Sequence, residues 1–486
     1  MSIARNTVYN LVGATTPTVV ALVSVPLYLK RIGAARYGVL AIVWLLLGYF
    51  GSFDLGLSRA MTNKIAQLRA ATAEEREEIF WTACLLNAGL GIVAGIIFYI
   101  AGEWIFGSWF KMSGSLESEV RLALPWIAAA IPVVTVTAAL TGALEGMQQF
   151  STVNVIQSVG SAFFQLAPLL AAYWIGPALQ YLIPVAVIMR CITALPLVWA
   201  VRAGLPLSGP PRLYRRQVRT LFAYGSWVAV TNIVSPILVT FDRFLIGVLL
   251  GASDVAYYVV PFQLVSRAQM IPAALSRALF PHLSEIDAAE STRVSLSAIV
   301  TLAVVTTPII ILGILTIRPF LEFWVGSAFA AQAAPVGEVL LLGIWSNGLG
   351  YVPFALLQAR GRPDVVAKFH LLEVAPFLIF LWYTLPRFGI AAAAVAWTAR
   401  VSADMLLLLR AAGLFRDVLR PLMPAVALVG AAVAYTLMFP GALSAARLGV
   451  AGTLLLLSCT WALAASAHLR AIVRNMLSAV NVSGEK

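Results

Sequence analysis

Charge placed inside long apolar runs is the feature of this sequence from which chemistry can be read. Asp242 and Arg243 sit in the middle of "SPILVTFDRFLIGVLLG". Arg190, Arg267, Glu373, Arg400 and Asp404 sit in similar surroundings. Where such a run crosses a membrane, each charge costs roughly 2.5–3.5 kcal/mol on insertion scales. Residues kept at that cost face a bundle interior or a watery cavity and mark substrate or ion paths. Guanidinium is permanently charged and grips phosphate oxygens in a bidentate fork. Arg190, Arg243, Arg267 and Arg400 are therefore the candidate substrate-binding residues, lining a cationic chamber for a phosphate-bearing molecule. Asp242, Glu373 and Asp404 are the candidates for tuning that charge or carrying a coupling proton.

A structural ion pair is the competing reading for each of these residues. Arg400 and Asp404 stand i, i+4 on one helix and can neutralise each other. Glu373 has Arg400 or Arg243 as a potential partner. Neighbours on a helix point about 100° apart, so Asp242 and Arg243 are expected to diverge, one toward the cavity and one toward an adjacent helix. Asp54 is expected to fix helix geometry near Arg59 and Lys64, and Glu145 and Glu338 to face water. Nothing suggests a reaction centre. His282, His370 and His468 lie far apart and match no metal-ligand spacing. No Gly-rich nucleotide loop occurs. Cys84, Cys191 and Cys459 fall in apolar runs without paired spacing and are expected as free thiols. The expectation is a protein that is not an enzyme and holds no cofactor or metal, with an ion gradient as its candidate drive.

The elements that carry these residues follow from composition. The chain has 486 residues, 61% hydrophobic and 11% charged, whereas a soluble domain is about 45–50% apolar and ~25% charged. It reads as an all-α polytopic membrane protein, and its net charge of +12 belongs to cytoplasmic loops rather than to nucleic-acid binding. A crossing needs about 20 mostly apolar residues. Fourteen candidates meet this: 7–29, 38–57, 79–101, 120–141, 152–174, 179–201, 224–250, 255–276, 295–317, 336–357, 365–385, 388–410, 420–438 and 447–468. With the N-terminus inside, 21 of the 33 Lys and Arg fall on the inner side and 8 on the outer. Both termini are thus expected in the cytoplasm. The loop "LKRIGAARYG" runs against the rule.

The chain also matches itself. At an offset of 218, "IGA" at Ile32–Ala34 meets "LGA" at Leu250–Ala252, and "LSRA" at Leu57–Ala60 meets "LSRA" at Leu275–Ala278. At 219, "FGSWF" meets "VGSAF", and at 213 "IG" at Ile175–Gly176 meets "FG" at Phe388–Gly389. Two parallel six-span repeats follow, with a substrate site expected between them. The expected organisation is an N-lobe over 1–203, a basic linker over 204–219, a C-lobe over 220–411, and spans 13 and 14 with a tail over 412–486. Asp242 and Arg243 fall on uncharged Ser24 and Val25, so the scaffold alone does not demand them. Arg190 falls on Ala403, one turn from Arg400, so Arg190 and Arg400 are expected to form a clamp. Many mid-span prolines, among them Pro17, Pro168, Pro261 and Pro376, suit bent helices around a cavity. Trp104, Trp109, Trp324 and Tyr383 fit an interfacial belt. Trp44, Tyr49, Trp345 and Tyr351 lie deeper, as core or as platforms for sugars.

The layout of six, six and two spans resembles the Wzx-type polysaccharide and O-antigen flippases, which share the MOP superfamily with MATE exporters and lipid II flippases. The resemblance rests on "FDLGLSRAMTNKIA", "LGASDVAYYVVPFQLVS" and "LLQARGRPDVVAKFHLLE". It implies an oligosaccharide on undecaprenyl pyrophosphate, moved from the cytoplasmic to the periplasmic leaflet of a bacterial inner membrane, for surface polysaccharide or lipopolysaccharide synthesis. It implies membrane lipid and the polysaccharide polymerase machinery as further partners, no nucleic acid, and a role for the last two helices in guiding the lipid tail. A lipid II flippase and a cation-coupled multidrug exporter are the neighbouring readings. The drug exporter has twelve spans and favours acidic cavities. A membrane-embedded polymerase or ligase would need a large outer loop, and the longest here have 18 residues, 102–119 and 318–335.

Overall fold

The computed structural model describes residues 3–50, 56–67, 73–205, 207, 209–219, 221, 240–439, 441 and 444–465, with backbone alone for residues 3–16 and 73. Every regular element among them is helical. They are α1 (Ile3–Phe50), α2 (Leu57–Gln67), α3 (Ala73–Ser108), α4 (Gly114–Gly146), α5 (Phe150–Trp174), α6 (Leu179–Gly204), α7 (240–249), α8 (Ala252–Val265), α9 (Met270–Glu285), α10 (Ala288–Val325), α11 (Ser327–Ala359), α12 (Pro363–Phe388), α13 (Ile390–Ala411), α14 (Phe415–Met438) and α15 (Ala445–Ala465). Eleven of them are long and apolar enough to cross a membrane.

That count differs from fourteen for local reasons. Spans 1 and 2 run together in α1, whose 48 residues would reach about 72 Å if straight, more than twice the ~30 Å hydrocarbon. Gly33 breaks the run with φ 79° and ψ 167°, a conformation that glycine adopts without a Cβ penalty. The Tyr28 and Trp44 rings lie 5.5 Å apart, although sixteen residues of straight helix would separate them by about 24 Å. The chain therefore doubles back at Gly33. Span 7 lies mostly outside the described residues. Span 8 is divided among α8, a 3-10 turn at Ser266–Gln269 and α9. Pro272 supplies the reason, because it has no N–H to give the carbonyl of Ala268.

The chain divides into two compact units, Met1–Ala256 and Tyr257–Lys486. In the first, α4 packs on α2, α3 and α6, and α5 packs on α1 and α6. Leu57, Met61, Ile65, Phe80, Leu144 and Val201 belong to its buried core. The stretch after α6 is fastened to α3. Gly209 N donates to Glu77 Oε1 at 2.7 Å and Tyr214 N to Thr82 Oγ1 at 3.2 Å. In the second unit α11 is the central helix, packed on α9, α10 and α13, with α12 against α13 and with α14 and α15 against α10.

Three cations that the sequence places in outer loops, two of them in "LKRIGAARYG", have partners within the first unit. Arg31 Nε donates to the carbonyl of Ala172 at 2.8 Å, near the C-terminus of α5. Lys111 Nζ donates to the carbonyl of Leu249 at 2.6 Å, at the end of α7. Both positions are electronegative helix termini. Arg36 grips Glu119 bidentately, Nε to Oε2 at 2.9 Å and Nη2 to Oε1 at 2.6 Å. Glu119 Oε2 also accepts from the Leu179 N–H at 2.9 Å, fixing the start of α6. Gly38 lies so close to the Ala252 carbonyl that a Cβ would collide with backbone. Glu119→Ala strands both Arg36 and the Leu179 N–H. It is expected to cost about 2–3 kcal/mol, measured as a lower denaturation midpoint of the purified protein, and Arg36→Ala should cost less.

Candidate functional site

In the first unit α6 carries Arg190 against α5. The guanidinium carbon sits 4.6 Å from the centre of the Phe164 ring, a cation–π contact. Phe164 in turn meets Trp44 at 6.0 Å, and Trp44 meets Tyr28 and Tyr37 at 5.5 and 6.2 Å. Tyr28 Oη donates to the Gln165 carbonyl at 2.6 Å, tying this aromatic group to α5. Trp44 Nε1, the Tyr37 hydroxyl and Arg190 Nε are buried without hydrogen-bond partners. No carboxylate lies within salt-bridge distance of Arg190 among the described residues. Asp242 and Arg243 on α7 behave otherwise than expected. They do not diverge: Asp242 Oδ1 accepts from the Arg243 backbone N–H at 2.8 Å and from Arg243 Nη1 at 3.2 Å. Both are buried. The long guanidinium stem folds back over the neighbouring carboxylate, which a comparison of Cα directions alone misses.

In the second unit Arg267 lies in the 3-10 turn between α8 and α9, exposed, and no carboxylate pairs with it among the described residues. Arg400 on α13 is paired: its Nη1 donates to Glu373 Oε2 on α12 at 3.3 Å, and its guanidinium lies 5.4 Å from the Phe377 ring centre. Asp404, one turn along α13, lies beside Glu373 and 3.9 Å from His370 Nε2. Glu373 Oε1 and Asp404 Oδ1 are buried and accept no hydrogen bond. Asp404 and His370 face a cavity of about 220 Å³ whose α11 wall holds Asn347, Gly350, Tyr351 and Phe354.

The structure thus brings Glu373, Arg400 and Asp404 into one cluster and joins Asp242 to Arg243. Asp54 lies outside the described residues. Two features escaped the sequence. His370, set aside as isolated, stands one turn before Glu373, and that i, i+3 spacing was its signal. Glu338 does not face water. It is 3% exposed, 3.9 Å from Arg318 of α10, with the buried Arg447 of α15 as a second nearby cation. These residues meet at helix ends that the sequence read as loop margins.

A family model described as "Polysaccharide biosynthesis protein" matches residues 3–287. A protein of Shigella flexneri named "Putative O-antigen transporter" is 32% identical over 409 residues, 84% of this chain and 97% of that protein. The chain belongs to the polysaccharide biosynthesis protein family. Its fold is that of solved MOP transporters. It matches the inward closed conformation of the lipid II flippase MurJ with a TM-score of 0.74 at 12% identity, over 96% of this chain and 99% of that one. It matches an inward-facing MATE transporter of the MOP superfamily with a TM-score of 0.69 at 13% identity, over 84% and 98%.

Within this multi-pass family member the arginines fall into two kinds. Arg243 and Arg400 have carboxylates at hydrogen-bond distance, and among the described residues Arg190 and Arg267 do not. Removing one partner of a buried pair strands the other charge. Arg400→Gln should therefore lower the yield of folded protein, and the double variant Glu373→Gln/Arg400→Gln should recover part of it, with a coupling of about 1–3 kcal/mol. Arg190→Gln strands no carboxylate and should leave the yield unchanged. Size-exclusion profiles and denaturation midpoints of the wild type, these three variants and the single variant Glu373→Gln measure this.

Proposed function

We propose that this protein is a flippase that moves an undecaprenyl-pyrophosphate-linked oligosaccharide from the cytoplasmic to the periplasmic leaflet of the bacterial inner membrane, for cell-surface polysaccharide or lipopolysaccharide synthesis. It works by alternating access between two lobes, with both termini cytoplasmic and no catalytic step. The observation that carries the reading is a pair of arginines, Arg190 and Arg267, in helical elements of a membrane protein and without a carboxylate partner among the described residues. A permanent cation that no protein carboxylate neutralises attracts an anion, and a pyrophosphate headgroup offers acceptor oxygens matched to the guanidinium fork. The same charge repels cationic drugs. Lipid II carries the same pyrophosphate. Family membership and the O-antigen relative favour a surface glycan.

Arg190 and Arg267 catch the headgroup. Arg243 in the first unit and Arg400 in the second are further proposed cationic contacts, held by Asp242 and Glu373, which keep their charge tolerable at low dielectric when no substrate is present. The neighbouring carboxyls of Glu373 and Asp404 can hold one proton between them. Arg400 and His370 face them, and Tyr351 closes the adjoining cavity. That cluster is the site proposed to couple transport to a proton gradient. Membrane lipid surrounds the chain, and the polymerase machinery consumes its product.

Replacing Arg190 or Arg267 by Gln removes charge and keeps polarity. Headgroup binding should weaken by about 1.5–3 kcal/mol, the range for hydrogen bonds to charged groups, and glycan export should fall with folded yield unchanged. Lys should restore part of it, lacking the bidentate contact. Normal export by both Gln variants in cells without another flippase overturns the reading. For the coupling role, uptake of a lipid-linked glycan into proteoliposomes should rise with an imposed pH gradient, and Glu373→Gln should flatten that response. Uptake indifferent to the gradient removes the proton from the mechanism and leaves the cationic contacts standing.

A further inference from the structure

The cavity beside Asp404 has a chemistry unlike that of the arginines. Its α11 wall is a single stripe: Asn347, Gly350, Tyr351 and Phe354 stand at i, i+3, i+4 and i+7, which places them on one face of the helix. Opposite stand His370 of α12 and Asp404 of α13. The carboxylate and the imidazole are 3.9 Å apart, so the one acidic group of the lining has a basic neighbour and the site has little charge with which to recruit a free cation. What remains is a mixture of donors and acceptors. The Asn347 amide offers both. Asp404 Oδ1 is buried and accepts no hydrogen bond. His370 offers a ring nitrogen. Two aromatic side chains, Tyr351 and Phe354, border the polar groups, and Gly350 leaves the wall between them without a side chain.

This combination fits one class of ligand. A sugar ring presents hydroxyls that donate and accept at once, which suits a carboxylate next to an amide. Its C–H face is apolar and packs on aromatic rings. A cavity of about 220 Å³ has room for one such ring. An anion would meet Asp404, and a lipid chain would strand Asn347 and Asp404. Tyr351 also joins the cavity to the cation already assigned: its hydroxyl lies 3.4 Å from Gln269 Oε1, in the same 3-10 turn as Arg267. We propose that the cavity bounded by Asn347, Tyr351, Phe354, His370 and Asp404 is a carbohydrate subsite that binds one sugar residue of the transported glycan and contributes its selectivity. This rests on the flippase reading above, with Arg267 taking phosphate and the cavity taking sugar within one unit.

The repeat sharpens the assignment. At the offset of 213 residues Asn347, Tyr351, Phe354, His370 and Asp404 fall on Val134, Ala138, Thr141, Gln157 and Cys191. The first half lacks the carboxylate, the imidazole and both rings. The helical scaffold therefore forms without them, as it does without charge at Ser24 and Val25.

The test uses the full-length protein in lipid nanodiscs and four probes: undecaprenyl pyrophosphate alone, and the same carrier bearing one hexose, one N-acetylhexosamine or one hexuronate. Binding is read by native mass spectrometry. The wild type should bind at least one sugar-bearing carrier about tenfold more tightly than the bare one, as expected for one or two added hydrogen bonds. Asn347→Ala should erase that preference and leave bare-carrier binding within about twofold. Phe354→Leu, which keeps an apolar side chain of similar reach, should reduce the preference in the same direction and guards against a folding defect in the first variant. Arg267→Gln should weaken all four probes alike and keep their ratio. A wild type with no preference for any sugar overturns the subsite, as does an unchanged preference in both Asn347→Ala and Phe354→Leu. If no carrier binds at all, the flippase reading itself falls. If Arg267→Gln binds every carrier normally while the sugar preference stands, Arg267 is not a phosphate contact and the subsite survives.

Discussion

A guanidinium placed among membrane helices must be neutralised, and the way each arginine of this protein meets that demand separates scaffold from site. Arg36 takes Glu119, Arg243 takes Asp242 and Arg400 takes Glu373. Arg31 takes a helix-terminal carbonyl instead. Arg190 has an aromatic face and, among the described residues, no carboxylate within salt-bridge distance. A cation–π contact is worth about 0.5–2 kcal/mol, less than the roughly 2.5–3.5 kcal/mol that charge costs at the centre of a span. The remainder is left for something outside the fold to supply, and a substrate phosphate is a ligand able to do so.

Comparison of the two halves locates that difference in individual residues. At the offset of 213 residues Phe164 falls on Phe377, so each unit seats an arginine over the same aromatic position, Arg190 in one and Arg400 in the other. The helices keep step: the starts of α4 and α5, Gly114 and Phe150, fall on those of α11 and α12, Ser327 and Pro363. The acids do not keep step. Glu373 falls on Gly160 and Asp404 on Cys191. At these matched positions Arg400 has a neutralising carboxylate, and Arg190 has none among the described residues.

Much of this was legible in the sequence, because membrane insertion and charge cost act on composition and position. Apolar length revealed most of the spans, and charge within them marked the residues that the structure gathers at α12 and α13. The limits have physical causes as well. Gly33 turns the chain within "LKRIGAARYG", the charged segment that separates spans 1 and 2 in the sequence, but hydropathy does not show that helix continues up to the turn on both sides. The Asp242–Arg243 pair depends on side-chain length and rotamer rather than on helical phase. In the loop that ran against the positive-inside rule, Arg36 pairs with Glu119 and Arg31 with the Ala172 carbonyl at the end of α5, and a carbonyl, present at every position, is invisible in a sequence. Asn347 gave no warning because the polar groups it faces, His370 and Asp404, lie on other helices.

The last two helices illustrate how a buried charge can serve assembly alone. Glu338 of α11 lies beside Arg318 of α10, Arg447 of α15 and Thr436 of α14. Arg447, almost wholly buried at the start of α15, donates to the Gly441 carbonyl from one Nη and leaves Nε and its other Nη without partners. Four helices thus converge on one carboxylate, and α14 and α15 cannot leave without exposing an unpaired charge to hydrocarbon. Their outward faces are apolar, with Leu437, Met438, Leu448 and Leu456 exposed. A pair of helices that is held by buried charge on the side facing α10 and α11 and is apolar on its exposed side belongs to the body of the protein. It presents to the bilayer a surface that lipid tails wet as readily as they wet one another, because between two such apolar surfaces no hydrophobic force favours separation.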